Sequence, residues 1–319
     1  VTKVRALAHP SLALIKYWGK QESGINLPAV PSLALTLEGL TTTTTVSLVE
    51  NDQIVLNGKA VSDPKVIEFL ERIRQLTHSP YHFLVESTND FPTAAGLASS
   101  SSGFAALAAA LWALIHHDEP KPKNLSEWAR LGSGSASRSV FGGWTLWPAG
   151  AEFAEQLYGP DHWTEVRVIL FVLESGAKPL GSREAMNLTR QTSPYYPAWV
   201  SDSPQLLQRA LEALNTKAWK KLGEVLRLSY LRMFATMYAA DPPIIYWLPE
   251  SLQLIRLAEE LRQNGLSVFE TMDAGPQVKY FCREEELPRV LQAVAERVGQ
   301  LDYRVAKPGG GVRIEACPD

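Results

Sequence analysis

Residues 104–115, Phe-Ala-Ala-Leu-Ala-Ala-Ala-Leu-Trp-Ala-Leu-Ile, form an uninterrupted apolar run. As a helix the run is too short to span a bilayer, which takes about 20 residues. It predicts instead an Ala-rich helix enclosed by the protein. The residues just before it are of the opposite kind. Asp90-Phe91-Pro92-Thr93-Ala94-Ala95-Gly96-Leu97-Ala98-Ser99-Ser100-Ser101-Ser102-Gly103 is dominated by small and hydroxyl side chains. Small residues entering a helix N-terminus let backbone N–H groups approach a phosphate, and the helix adds partial positive charge there. Serine hydroxyls can donate to phosphate oxygens or stand in the shell of a Mg²⁺ ion. A Ser-rich turn with an N-cap would use the same residues. The loop is not a Walker A motif, because no Gly-Lys-Ser/Thr follows at the required spacing.

A chain of 319 residues predicts two domains at about 150 residues each. Its 45% apolar and 20% charged residues are ordinary for a globular protein. With 31 basic and 34 acidic side chains, a net charge of -3 gives no global field for nucleic acid or an anionic membrane. Cys282 and Cys317 lie in no ligand spacing, so neither a zinc site nor a disulfide framework is expected. A reducing cytoplasm fits, and Val-Thr-Lys-Val-Arg at the start lacks the apolar stretch of a signal peptide.

The first third reads as strands. Thr41–Val49 is β-branched, and Asn57-Gly58 between apolar flanks signals a two-residue hairpin. Asp63-Pro64 offers an N-cap and first-turn proline for a helix carrying Val66, Ile67, Leu70, Ile73 and Leu76. Strands are predicted over 81–86 and 166–173, with a domain junction in the Gly/Ser/Pro-rich stretch 175–182. Helical spacing marks 206–214, 219–238 and 252–261. A strand, strand, helix, strand series follows over 266–271, 278–282, 284–298 and 302–306, the pattern of a split βαβ, ferredoxin-like unit. The class is α+β, divided as 1–176 and 177–319.

Other segments carry candidate chemistry. Lys16 and Lys20 flank Tyr17 and Trp18, two cations and a phenol suited to a carboxylate or phosphate, or a pair of surface lysines around a packed aromatic. Gly132-Ser133-Gly134-Ser135-Ala136-Ser137-Arg138 combines hydroxyls with a guanidinium able to bind an oxyanion in bidentate fashion, or is a loop with a solvated arginine. Ser182-Arg183 adds a second arginine. Asp273, before Ala274-Gly275-Pro276, is a turn former or a catalytic carboxylate. Lys307-Pro-Gly-Gly-Gly-Val312 reads as a tight hairpin loop.

Taken in order, these segments resemble a known family. Pro92-x-x-x-Gly96-Leu97-x-Ser99-Ser100 is similar to the phosphate motif of the GHMP kinases. The stretches 13–20, 91–104, 132–143 and 272–276 resemble the mevalonate diphosphate decarboxylase branch. The resemblance implies a two-domain GHMP fold: an N-terminal unit with a left-handed βαβ-type nucleotide site, a ferredoxin-like C-terminal unit, and a cleft between them. It implies ATP with Mg²⁺, a phosphorylated mevalonate as substrate, and a homodimer. Asp273, Lys16 and Arg138 become the catalytic groups. Tyr17, Lys20, Ser133, Ser135, Ser137, Ser182 and Arg183 join Arg138 in binding substrate. Gly96, Leu97, Ala98, Ser99, Ser100, Ser101 and Ser102 hold ATP phosphates, and 307–312 closes over the nucleotide.

The implied reaction is ATP-dependent decarboxylation. Phosphorylating the tertiary hydroxyl turns it into a leaving group, and CO₂ loss supplies the electrons of the alkene. A kinase such as a mevalonate 3-kinase, stopping at the phosphorylated acid, is the alternative. Two departures from the family pattern stand out: Pro10-Ser11-Leu12 has a hydroxyl where an amide is usual, and Ala29-Val30-Pro31 lacks two polar side chains. They favour, by a small margin, mevalonate 5-phosphate over the 5-diphosphate.

Overall fold

The computed structural model describes residues 2–22, 25–91, 99–174 and 180–316. Strands β1 (Lys3–Ala8), β2 (Ser11–Ile15), β3 (Ser32–Glu38) and β4 (Thr42–Val49) open the chain. Asn57 and Gly58 then take φ values of 49° and 76°, turning β5 (Gln53–Leu56) back as β6 (Lys59–Ala60). Left-handed backbone at both positions is what a two-residue hairpin matched to strand twist requires. Asp63 accepts from the backbone N–H groups of Lys65, at 2.8 Å, and Val66, capping α1 (Pro64–Thr77). β7 (His82–Asn89) follows and pairs parallel to β5.

These strands build a six-stranded sheet in the order β14-β1-β4-β7-β5-β6, where β14 is Arg313–Ala316. The apolar run lies within α2 (Ser99–His116), 18 residues long and so longer than the run itself. By length and composition α2 is long and apolar enough to cross a membrane. Here it is a core helix: Ala105, Ala106, Ala108, Ala109 and Ala110 are fully buried. It packs on β1 and β4 and against α3 (Pro122–Gly132) and α4 (Ala136–Ser139). Alanine is the side chain that lets sheet and helices both approach so closely.

The chain continues through β8 (Trp144–Trp147), β9 (Glu155–Tyr158) and β10 (Val166–Val172). Helices α5 (Ser182–Thr192), α6 (Tyr196–Asn215), α7 (Trp219–Tyr238) and α8 (Pro249–Gln263) follow. The final series is β11 (Phe269–Met272), β12 (Val278–Arg283), α9 (Leu287–Arg297) and β13 (Asp302–Pro308). In the second sheet β11-β12-β10-β13 run antiparallel, the strand order of the expected ferredoxin-like unit. Its central strand β10 comes from before residue 177, so a division at 176/177 separates β10 from the strands it pairs with. The sheet then crosses into the first part of the chain, with Lys307 and Pro308 paired to Glu38 and Leu37 of β3.

That crossing corrects the reading of 307–312 as a hairpin. β13 and β14 lie in different sheets, and the glycines form the connection between them. Gly143 donates its N–H to Gly309 O at 2.8 Å, and Gly309 donates to Thr36 O at 2.9 Å. A Cβ on Gly311 would lie 2.7 Å from Val140 O, and one on Gly142 2.6 Å from Gly311 N. The glycines permit backbone to lie on backbone and so fasten the end of α4.

Behind β11, α7 supports the ferredoxin-like unit through Gly223, whose missing Cβ makes room for the Phe269 ring. Glu270, fully buried on β11, accepts from Arg227 Nε at 2.6 Å, Tyr230 Oη at 3.0 Å and Arg262 Nη1 at 2.6 Å. The strand is thereby tied to both α7 and α8. Gly223→Ala would put a Cβ 2.1 Å from Phe269. Overpacking of this kind costs about 1–3 kcal/mol, expected as a lower midpoint in urea unfolding at unchanged slope. An unchanged midpoint would mean that α7 and β11 are less closely packed than described.

Candidate active site

Lys16 follows β2, its backbone N–H donating to Ser229 Oγ of α7 at 2.9 Å. Its ammonium, 1% exposed, donates to Ala13 O at 2.6 Å and to Asp273 Oδ1 at 2.7 Å. Asp273 begins the 273–277 connection of the β11–β12 hairpin. Gln277 pins that connection by accepting from Leu173 N at 2.6 Å and donating to Glu174 O. Ser251 Oγ of α8 donates to Pro276 O at 2.7 Å. From β12, Lys279 donates to the second carboxylate oxygen, Oδ2, at 2.9 Å.

Burial alone would push the Asp273 carboxyl up. The Lys16 and Lys279 ammoniums outweigh it and hold the group well below the usual carboxylate range. Lys16 moves the other way. Burial brings it down to about 8, Lys279 and Arg138 push in the same direction, and Asp273 opposes them.

Arg138 extends from α4 and donates Nη1 to Ser32 Oγ at 2.6 Å. Burial lowers it to about 10, against the attraction of Asp273. Its guanidinium lies 5.9 Å from the centre of the Tyr17 ring. The buried Arg138 Nε and Tyr17 Oη have no hydrogen-bond partner among the described residues. Gly134 is needed beside Tyr17, since a Cβ there would come within 2.6 Å of the phenol oxygen. Lys20 Nζ donates to Asn26 Oδ1 at 2.6 Å, and Asn26 Nδ2 to Arg130 O at 2.8 Å. Burial lowers Lys20 to about 8, helped by Arg183 and Lys65 and opposed by Glu68. Arg183 Nη1 stands 3.5 Å from Glu68 Oε2.

One pocket of about 560 Å³ gathers most of the sequence-predicted groups: Lys16, Tyr17, Lys20, Ser133, Ser135, Arg138, Ser182, Arg183 and Asp273. Ser99 and Ser100, at the N-terminus of α2, line it too. The lining also includes the apolar Leu56, Val66, Val85 and Leu107 and the polar Thr44, Ser87 and Asn89. Three predicted serines are not in this wall. Ser101 and Ser102 are fully buried, with Ser101 Oγ accepting from Ser11 N at 3.4 Å and Ser102 Oγ 2.6 Å from Thr42 Oγ1. Ser137, also fully buried, donates to Gly134 O at 2.8 Å. Within the first turn of α2 the helix rotates Ser101 and Ser102 away from the face that Ser99 and Ser100 present, and Ser137 is turned inward on α4. Gly96, Leu97 and Ala98 lie outside the described residues.

Sequence reasoning missed Lys279, Lys65 and Ser32. Lys279 did leave a signal, a lone cation in the otherwise apolar run Val278-Lys279-Tyr280-Phe281-Cys282. Lys65 reads as an ordinary exposed first-turn residue, and only the fold brings it to the pocket.

Among the described residues lining the pocket, Lys16, Lys20, Lys65, Arg138 and Arg183 face only two carboxylates, Asp63 and Asp273. Asp63 is already used as the α1 cap. A cavity with that surplus suits a polyanion. The described residues contain no cluster of three metal-ligating side chains. A Mg²⁺ fitting here would therefore be carried mainly by the phosphates of a bound nucleotide.

Residues 8–158 match the family model of the diphosphomevalonate decarboxylase-like N-terminal domain, and 168–307 that of the mevalonate 5-diphosphate decarboxylase C-terminal domain. The chain is 31% identical to the diphosphomevalonate decarboxylase of Candida albicans over 95% of this chain and 91% of that protein. Identity to the Danio rerio enzyme of the same name is 33%, over 91% and 78%. A complex of MDDEF with MVAPP, AMPPCP and magnesium superposes with a TM-score of 0.93 at 37% identity, covering 99% of both chains. The Staphylococcus aureus mevalonate diphosphate decarboxylase gives 0.91 at 35%, covering 99% and 98%. The chain, with its two-unit α+β fold and its cation-rich pocket, belongs to the diphosphomevalonate decarboxylase family.

Proposed function

We propose that this protein uses ATP to decarboxylate mevalonate 5-diphosphate to isopentenyl diphosphate. The observation that carries the reading is the gathering of five cations and only two carboxylates, Asp273 one of them, among the described residues that line one pocket. The preference for the 5-phosphate comes from the hydroxyl in place of an amide at 10–12 and the two polar side chains lost at 29–31. Val30 and Pro31 are buried and none of 29–31 lines the pocket, while at 10–12 Ser11 does line it, its hydroxyl held between Ser139 Oγ at 3.1 Å and Ser135 O at 3.5 Å, so these departures do not favour the 5-phosphate. The relatives are named for the diphosphate, and a kinase that stops at the phosphorylated acid finds no support in them.

In this reading the side chains of Leu56, Val66, Val85 and Leu107, with the polar Thr44, Ser87 and Asn89 that also line the pocket, take the nucleoside. The α2 N-terminus, with Ser99 and Ser100, takes the ATP phosphates. Mg²⁺ neutralises charge across those phosphates when bound. Tyr17, Lys20, Ser182 and Arg183 hold the substrate diphosphate, and Arg138 with Ser133 and Ser135 orients its carboxylate. Asp273 receives the tertiary hydroxyl. A carboxylate gripped by two ammoniums is a weak base, so its main task is to orient the hydroxyl and accept its proton late, as a loose phosphoryl-transfer transition state allows.

The hydroxyl oxygen bonds the γ-phosphorus as the bond to ADP breaks. The carbon–oxygen bond then breaks, phosphate leaving with the electron pair while positive charge grows at the tertiary carbon. The electrons of the carboxylate's carbon–carbon bond become the alkene, and CO₂ departs. Lys16 compensates charge on the transferring oxygens.

Two experiments test the reading. ADP and CO₂ are followed together with mevalonate, its 5-phosphate and its 5-diphosphate. Equal yields, with highest kcat/KM for the diphosphate, are expected. ADP without CO₂, or a preference for the monophosphate, would refute it. The second is the pH profile of kcat/KM. Lys16 is required as a cation and titrates near 8 in the free protein. Because the protonated form is the active one, kcat/KM should fall as pH rises through about 8 and stay lower above it. The limb should survive Lys20→Arg, which removes the other group titrating there. A profile flat to pH 10 would remove Lys16 from the chemistry.

A further inference from the structure

Among the described residues, Lys279 is the one charged group touching Asp273 that the roles above leave unused. It sits on β12, in the middle of the ferredoxin-like sheet, paired in register with Leu170 of β10 and Thr271 of β11. Its side chain is 2% exposed and it does not line the pocket. A lysine in such a strand forfeits its hydration unless a partner offsets the cost. The Asp273 carboxylate is one such partner: Lys279 Nζ lies 2.9 Å from Oδ2, while Lys16 Nζ lies 2.7 Å from Oδ1. Each oxygen is thus held by a different lysine, one from each part of the chain. Two such contacts fix the rotation of the carboxylate, which one contact alone would leave free.

We propose that Lys279 is a positioning residue, holding Oδ2 of Asp273 from behind so that the carboxylate presents a fixed edge to the reacting hydroxyl. The proposal rests on the reading of Asp273 given above and assigns Lys279 no contact with substrate. It has a second consequence at Lys16. The charged groups that face Lys16 are Asp273 after β11, Lys279 on β12 and Arg138 on α4, while α7 offers only the neutral Ser229. Removing the Lys279 charge takes away one repulsion and leaves Asp273 to Lys16 alone. Both changes favour protonated Lys16, so its titration moves upward from about 8.

The experiment compares wild type with Lys279→Met, which keeps the length and apolar stem, and Lys279→Arg, which keeps the charge. Steady-state kinetics give kcat and KM. A ¹³C NMR titration of ligand-free protein carrying [¹³Cε]lysine, with the Lys16 signal assigned by its loss in Lys16→Met, gives the Lys16 midpoint without any turnover. Lys279→Met is expected to lower kcat about 10²-fold with KM for the mevalonate substrate unchanged, the size of a small misplacement of a reacting group. Lys279→Arg should recover part of the loss. The Lys16 midpoint should rise in Lys279→Met and stay near the wild-type value in Lys279→Arg. A Lys16 midpoint unmoved in Lys279→Met overturns the proposal, as does a loss confined to KM. If Lys279→Met does not fold, Lys279→Gln carries the same two readouts. Failure of wild type to decarboxylate would sink the functional reading alone, since the NMR midpoint still decides the role of Lys279.

Discussion

The Asp273 carboxylate between Lys16 and Lys279 is the interaction on which the rest of the site depends. It joins the end of β2, early in the chain, to the β11–β12 hairpin more than 250 residues later. Lys16 is fixed from behind by Ser229, and the hairpin by Gln277 and Ser251. Glu270, three residues before Asp273, binds β11 to α7 and α8 through Arg227, Tyr230 and Arg262. Much of the ferredoxin-like unit can therefore be understood as a mount for one carboxylate.

The ion triad also sets what the pocket accepts. With Asp273 neutralised by its own lysines, Arg138, Lys20, Lys65 and Arg183 have no full complement of anions within the protein. Arg183 meets Glu68, which Arg72 already holds. Among the described residues the Lys20 ammonium donates to the neutral Asn26 amide, and Glu68 acts on it without a direct ion pair. A ligand bringing several negative charges supplies what is lacking, and the helix N-terminus of α2 extends the same demand toward a nucleotide. The burial that lowers Lys16 and Lys20 toward neutrality makes that demand pH-dependent in the alkaline range.

The sequence made local features legible wherever a single residue had one physical use. Asn57-Gly58, Asp63-Pro64 and the apolar periodicity of 219–238 all lie where local chemistry puts them. Lys16, Arg138 and Asp273 were legible only through a resemblance carried by their flanking residues, since each alone also describes a surface or turn residue. Long-range pairing was not legible. Nothing near Lys307 indicates that β13 and β14 enter different sheets, and nothing near 166–173 says that this strand completes the later unit. The serine run shows the same limit: four hydroxyls in succession look equivalent, yet helical geometry sends Ser99 and Ser100 to the pocket and Ser101 and Ser102 to the core.

The central claim, that Asp273 is the shared counter-ion of two buried lysines, is tested most directly by unfolding. Asp273→Asn takes away the carboxylate that both buried ammoniums share, and removing one partner of a buried pair costs about 3–5 kcal/mol. The lower end is expected, because 27% of the Asp273 side chain still meets solvent. Adding Lys279→Met to Asp273→Asn removes one of the stranded charges and should return part of that stability at pH 7. If Asp273→Asn unfolds at the wild-type urea midpoint, or Lys279→Met deepens its loss, the carboxylate is not the counter-ion that holds this site together.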